Sequence, residues 1–212
     1  MSKTAIITGA SSGIGAATAH RFIELGHKVI NIARRASPVE GVINVSADLS
    51  TEDGAKRAAL EAGESAVKGE SISLVHNASL MLKDTIRECD TADLMRVLAV
   101  NVAAVNTLNR ELLPHMVAGS SILYVGSTLS EKAVAGAHSY VISKHAQLGQ
   151  MRATCQDLIG AEIHTAMICP GFTDTEMLKQ HLGGDTELMQ EIGSQNSFGR
   201  LVTPDEIAGV II

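Results

Sequence analysis

Eight residues near the start of the chain, Thr8-Gly9-Ala10-Ser11-Ser12-Gly13-Ile14-Gly15, constrain what it can fold into more than any other feature. They lie between a short β-rich run, Lys3 to Thr8, and a helical pattern from about Gly13 to Leu25 that Gly26 closes. Glycine in such a loop permits a tight turn, a close approach of backbone to phosphate, and close packing of helix on strand. The helix N-terminus then offers unpaired N–H groups and a positive dipole end to a pyrophosphate. A glycine-rich string says little by itself. Set between a strand and a helix, it marks Gly9, Ser11, Ser12, Gly13, Ile14 and Gly15 as contacts for a dinucleotide.

The alternation continues along the chain. Lys28 to Ala33 and Gly41 to Ser46 read as the second and third strands. An Ala-rich, helix-favouring stretch follows from about Thr51 to Val67, interrupted at Gly54 and Gly63, before a fourth strand from Ile72 to His76. A long helix spans about Thr91 to Val117, and Ser121 to Val125 is a fifth strand. A second long helix covers about His138 to Ile159, and a sixth strand runs from Ile163 to Ile168. Strands alternating with helices make βαβ units, a parallel sheet covered on both faces. The expected fold is α/β: a single, doubly wound, Rossmann-like domain.

Composition narrows the function. At 212 residues the chain is one domain with a sizeable core. A net charge of -6 and only five aromatic residues, two Tyr and three Phe, speak against nucleic acid as a partner. Cys89, Cys155 and Cys169 fit neither a disulfide framework nor a zinc site, and the eight histidines show no metal-binding spacing, so no metal is expected. The N-terminus has no signal-peptide pattern, and no apolar stretch is long enough to span a membrane. A cytoplasmic protein is expected.

After the second strand, dinucleotide folds that take NAD carry an acid for the ribose hydroxyl. Here the sequence reads Ile32-Ala33-Arg34-Arg35, two guanidiniums suited to a 2′-phosphate. NADP(H) is therefore preferred over NAD(H).

A third signal sits on the later long helix. Tyr140 and Lys144 are spaced i, i+4 and project from one face. Ser127 lies just beyond the fifth strand, where parallel α/β sheets gather their ligand sites. A phenol has a pKa of about 10 and becomes a usable acid near neutrality only beside a cation. Asn101 falls in a stripe with Leu94, Leu98, Val105, Leu108 and Leu112, so it should be buried and need partners.

Taken together these residues resemble the short-chain dehydrogenase/reductase family, in its single-domain branch, over residues 3 to about 209. The markers are Thr8-Gly9-x-x-x-Gly13-Ile14-Gly15, Asp48, Asn77-Ala78, Asn101, Ser127, Tyr140-x-x-x-Lys144 and Pro170-Gly171. The resemblance implies an oxidoreductase moving a hydride between nicotinamide and a carbonyl or secondary alcohol. Tyr140 would be the acid/base, and Ser127 would orient the carbonyl. Lys144 would lower the Tyr140 pKa and bind the nicotinamide ribose, and Asn101 would hold a water linking Lys144 to solvent. Asp48 and Leu49 would meet adenine. Asn77 and Ala78 would line the cofactor, and Pro170, Gly171, Thr173 and Thr175 would place the carboxamide. Arg34, supported by Arg35, matches the position that selects NADP(H). A homodimer or homotetramer is implied.

Three departures stand out. The family's Asn-Asn-Ala-Gly reads His76-Asn77-Ala78-Ser79, so backbone near the cofactor must accommodate a Cβ. The basic residue often found before the middle glycine is Ser12. Leu201 to Ala208 resembles the start of the family's last helix, and the seventh strand that would follow is expected to be missing after Ile212.

Residues from about 172 to 200 correspond to the family's substrate-covering segment, with Gly183-Gly184 as a hinge. Met177, Leu178, Leu182, Leu188 and Met189, with Met81 and Leu82, would line an adaptable apolar pocket for a neutral ketone, aldehyde or diketone. Two other readings share the glycine loop: a non-catalytic sensor of cofactor redox state, and a sugar-nucleotide epimerase or dehydratase using the same Tyr/Lys pair. The first usually lacks that pair, and the second is usually longer.

Overall fold

A computed structural model describes residues 3–212. The first half comprises β1 (Thr4–Thr8), α1 (Gly13–Glu24), β2 (Lys28–Ala33), β3 (Ile43–Ser46) and α2 (Glu52–Ser65). The second comprises β4 (Ile72–His76), α3 (Thr91–Leu98), α4 (Ala104–Leu112), β5 (Ser121–Val125), α5 (His138–Asp157) and β6 (His164–Ile168). Three more helices follow: α6 (Glu176–His181), α7 (Thr186–Ser194) and α8 (Pro204–Ile211).

Every strand pair is parallel, and the order across the sheet is β3-β2-β1-β4-β5-β6. The inner strands are covered on both faces, so they read in sequence as unbroken apolar runs. Along β1, successive side chains turn to opposite faces. Ile6 joins Ala55, Leu74, Leu108 and Ile122 beneath α2 and α4, and Ala5 and Ile7 join Phe22, Val29 and Ile207 beneath α1 and α8. The chain winds outward from β1 to β3, then returns to β4 on the other side of β1. A crevice opens at that switch point, beyond the carboxyl ends of the strands.

Two helices differ from expectation. α2 runs unbroken through Gly54 and Gly63, because neighbours leave no room for a side chain there. A Cβ at Gly54 would strike the Asp48 carbonyl, and one at Gly63 would lie 2.8 Å from the His115 ring. The helix expected over Thr91 to Val117 is instead interrupted by a π turn, Ala99–Ala103, and ends at Leu112. Beyond Leu112 it tightens into a 3₁₀ turn, Leu113–His115, where Pro114 supplies no N–H to continue the ladder. The π turn adds a residue to one turn, so the buried face before it is set by Val97, with Leu94 and Leu98 only half-buried.

Among the described residues no helix is long and apolar enough to cross a membrane, and no group of three or more His, Cys, Asp or Glu side chains is placed to hold a metal ion.

Candidate active site

The crevice is a cavity of about 950 Å³ that begins at the glycine loop and ends at α5. Gly9 and Gly13 have positive φ, 73° and 54°, the left-handed region in which glycine carries no penalty. A Cβ on Gly9 would lie 3.0 Å from the Ala78 Cα, and one on Gly15 would run into the Gly9 carbonyl and the Asn77 amide. Gly9, Ser11, Ser12, Gly13 and Ile14 line the cavity, whereas Gly15 packs beneath them. Ser12, at the N-cap of α1, makes no side-chain cap. The first-turn amides of α1 therefore keep no side-chain partner and remain available to an anion.

Two asparagines hold this loop in shape. Asn77 Nδ2 donates to the Thr8 and Gly9 carbonyls at 3.0 and 3.1 Å, while the Thr8 hydroxyl accepts from the Asn77 and Ala78 amides, both at 2.9 Å. Asn31, fully buried on β2, accepts from the Ala10 amide at 2.9 Å. It also donates to the Arg35 carbonyl at 3.2 Å and to Asn44 Oδ1 at 2.9 Å. One side chain thus couples the glycine loop to the Arg34-Arg35 loop.

Arg34, Arg35, Asp48, Leu49, Asn77 and Ala78 also line the cavity. Hydrogen bonds from Ser50, with Arg34 nearby, hold the Asp48 carboxyl below its usual range.

At the other end the cavity is lined by Ser127, Tyr140, Lys144, Pro170, Gly171, Thr173 and Thr175. Tyr140 is 8% exposed, and burial pushes its phenol up to about 12 while the hydroxyls of Ser79 and Ser127 work against that rise. Lys144 Nζ lies 5.5 Å from the centroid of the Tyr140 ring. It donates to the Val125 carbonyl at 2.8 Å and to Gln147 Oε1 at 3.0 Å. Burial without a carboxylate lowers this ammonium to about 8. Ser127 Oγ accepts from the Leu129 amide at 3.1 Å, which fixes its rotamer at the mouth of β5.

Asp84 sets where α5 begins. Its carboxylate accepts from the Ser139 amide at 3.1 Å, and its own carbonyl accepts from the His138 amide at 3.2 Å. The first turn of α5, which carries Tyr140, is thereby tied to the segment after β4.

Asn101 is fully buried in the π turn and does not line the cavity. Its Oδ1 accepts from the Leu80 amide at 2.7 Å, and its Nδ2 donates to the Leu80 carbonyl and the Ser143 hydroxyl, both at 2.9 Å. Its main-chain carbonyl accepts from Gln147 Nε2 at 3.3 Å. The side chain of Gln147 thus bridges the Asn101 carbonyl and the Lys144 ammonium.

Of the apolar residues expected at the substrate, Met81, Met177 and Leu178 line the cavity, joined by Val134 and Phe172. Leu82, Leu182, Leu188 and Met189 do not. Sequence reasoning missed Asn31, Gln147 and the hydroxyl of Ser79. The signals were a polar residue inside an apolar strand, an amide three residues after Lys144, and a serine where the family has glycine.

A family profile described as short chain dehydrogenase matches residues 3–184. The chain belongs to the short-chain dehydrogenase family. Members similar to it include the "uncharacterized oxidoreductase" YmfI of Bacillus subtilis, 29% identical over 98% of this chain and 89% of that one. Among solved structures, a Pseudomonas aeruginosa RhlG/NADP active-site complex superposes with a TM-score of 0.88 at 26% identity, over 99% of this chain and 87% of that one. A 3-ketoacyl-(acyl-carrier-protein) reductase from Brucella melitensis complexed with NADH gives 0.85 at 26% identity, over 98% and 88%. The sheet of this chain is thus the sheet of that family, in which these solved relatives hold a nicotinamide cofactor.

Proposed function

We propose that the protein is an NADP(H)-dependent carbonyl reductase or alcohol dehydrogenase. The observation that carries this reading is a single cavity holding an uncapped helix N-terminus and glycine cradle at one end and Tyr140, Ser127 and Lys144 at the other. A dinucleotide fits what lies between. Its pyrophosphate would sit on the first turn of α1, where a side chain on Gly9 would be in the way. Its adenine end would reach Asp48 and Leu49, and Pro170, Gly171, Thr173 and Thr175 would hold its nicotinamide end. Among solved relatives both NADP and NADH are found bound. The preference for NADP(H) therefore rests on Arg34 and Arg35, two guanidiniums beside the ribose position.

The bound nicotinamide supplies or accepts the hydride. Tyr140 donates its phenolic proton to the carbonyl oxygen in reduction and takes a proton from the alcohol in oxidation. Lys144 favours the phenolate by its charge and also binds the ribose. Ser127 donates to the substrate oxygen and fixes the face presented to the hydride. Asn101 acts without touching substrate, by tying Leu80, which lines the cavity, to Ser143 on α5. Met81, Val134, Phe172, Met177 and Leu178 give the substrate end an apolar wall suited to a neutral ketone, aldehyde or diketone.

The test begins with fluorescence titration by NADPH and by NADH, followed by a screen of neutral carbonyls using nicotinamide absorbance. Tight, selective NADPH binding and turnover of at least one carbonyl are expected. Tyr140→Phe should abolish that turnover and leave NADPH affinity unchanged. Undiminished turnover in the variant would remove Tyr140 from its role.

A further inference from the structure

Lys144 is buried with no carboxylate beside it, so the groups that do hold it are informative. Nζ donates to the Val125 carbonyl at 2.8 Å and to Gln147 Oε1 at 3.0 Å. Gln147 is itself 1% exposed, and its Nε2 donates to the Asn101 carbonyl at 3.3 Å. A primary amide has a donor end and an acceptor end. With its nitrogen committed to a carbonyl, its oxygen is directed the other way, here at the ammonium.

We propose that Gln147 is a positioning residue for the reaction, its amide bridging the Asn101 carbonyl and the Lys144 ammonium and so holding the lysine from behind. The inference rests on the reading of Lys144 as the cation that serves Tyr140. The carbonyl dipole of Gln147 replaces part of the hydration that burial removes from Nζ. The titratable groups that face Nζ are Tyr140, on the same helix, and Cys169, just past β6. β5 and the π turn contribute main-chain carbonyls, the first directly and the second through Gln147.

Gln147→Met keeps the length and burial of the side chain and removes both polar ends. NMR of isotope-labelled lysine, with the Lys144 signal assigned through Lys144→Arg, reads the result without any substrate. Loss of one hydrogen bond to a charged group lowers the Lys144 titration midpoint by about one unit or more. A folded variant whose midpoint stays at the wild-type value overturns the proposal, even if its melting temperature falls, because a packing role changes stability alone. If Gln147→Met does not fold, Gln147→Glu keeps size and an acceptor. A carboxylate there raises the midpoint above wild type, and an unmoved midpoint again overturns the proposal. With a carbonyl substrate, Gln147→Met shifts the pH profile of kcat and leaves KM alone. A shifted lysine with an unmoved kcat profile would overturn the part of Gln147 in the reaction. Absence of turnover in wild type would instead count against the proposed function, and the lysine titration would still be readable.

Discussion

His76 closes β4, fully buried, with Nε2 donating to Asn109 Oδ1 at 2.6 Å, and acidification must at some pH force a second proton onto its ring. Burial lowers its pKa from 6.5 to about 4, with the Asn109 hydrogen bond only partly opposing the shift. In the unfolded chain the imidazole takes up its proton at the ordinary value, so between these two pH values the unfolded state binds more protons. Stability from this residue is therefore fully present above pH 6.5 and is lost as pH falls toward about 4. The interval of about 2.5 units, at about 1.4 kcal/mol each, amounts to about 3 kcal/mol. That is a large fraction of the 5–15 kcal/mol typical of a domain. His27 and His181 are also lowered by burial, so the measurement has to isolate His76. His76→Gln does so, because its amide nitrogen can still donate to Asn109 and nothing titrates. Urea unfolding of both proteins from pH 7.5 down to 4 should show the variant losing about 3 kcal/mol less than wild type over the interval. Parallel curves would refute the reasoning and mean that His76 is protonated, or reaches water, in the folded state.

Two further variants test the cofactor end. Arg34→Asp should weaken NADPH binding by about tenfold or more, by removing a charge-assisted contact and adding repulsion, while NADH binding holds or improves. Titration with both nucleotides checks this, and an unchanged ratio would make Arg34 a solvated loop residue. Asn31→Ala leaves the Ala10 amide, the Arg35 carbonyl and Asn44 Oδ1 without their partner. It should cost about 2–4 kcal/mol in chemical denaturation and weaken NADPH binding even in the folded fraction, since both loops relax together.

The strands were the most legible part of the fold. β2, β4 and β5 begin and end where the apolar runs do, because strands buried on both faces have no polar alternation to blur them. The glycine loop and the Arg34-Arg35 loop stood out for a related reason: nothing in a core would demand glycines and arginines in such loops. Helical periodicity failed in two places. A π turn inserts one residue without any mark in the apolar pattern, so Leu94 and Leu98 read as buried where Val97 is. The buried face of α5 is Ser139, Tyr140, Ser143, Lys144 and Gln147, which is no apolar stripe at all. Tyr140 and Lys144 could be found there by their spacing, whereas Gln147 acquires meaning only once Asn101 is brought across from another helix. The substrate wall was half legible. Met177 and Leu178 face the cavity but Leu188 and Met189 do not, because two short helices replace what the sequence shows only as a glycine-hinged apolar stretch.

The switch point between β1 and β4 has a consequence for how this protein resists unfolding. The two halves of the sheet meet along four paired residues of β1 and β4, reinforced by Asn77 beneath the glycine loop. Whatever occupies the crevice touches both halves at once and behaves as a removable cross-link. Such an occupant raises the unfolding free energy by about 2.7 kcal/mol at a hundred times its Kd, comparable to the whole contribution of His76. Damage to the seam between the halves is thus masked in the loaded protein and exposed in the empty one.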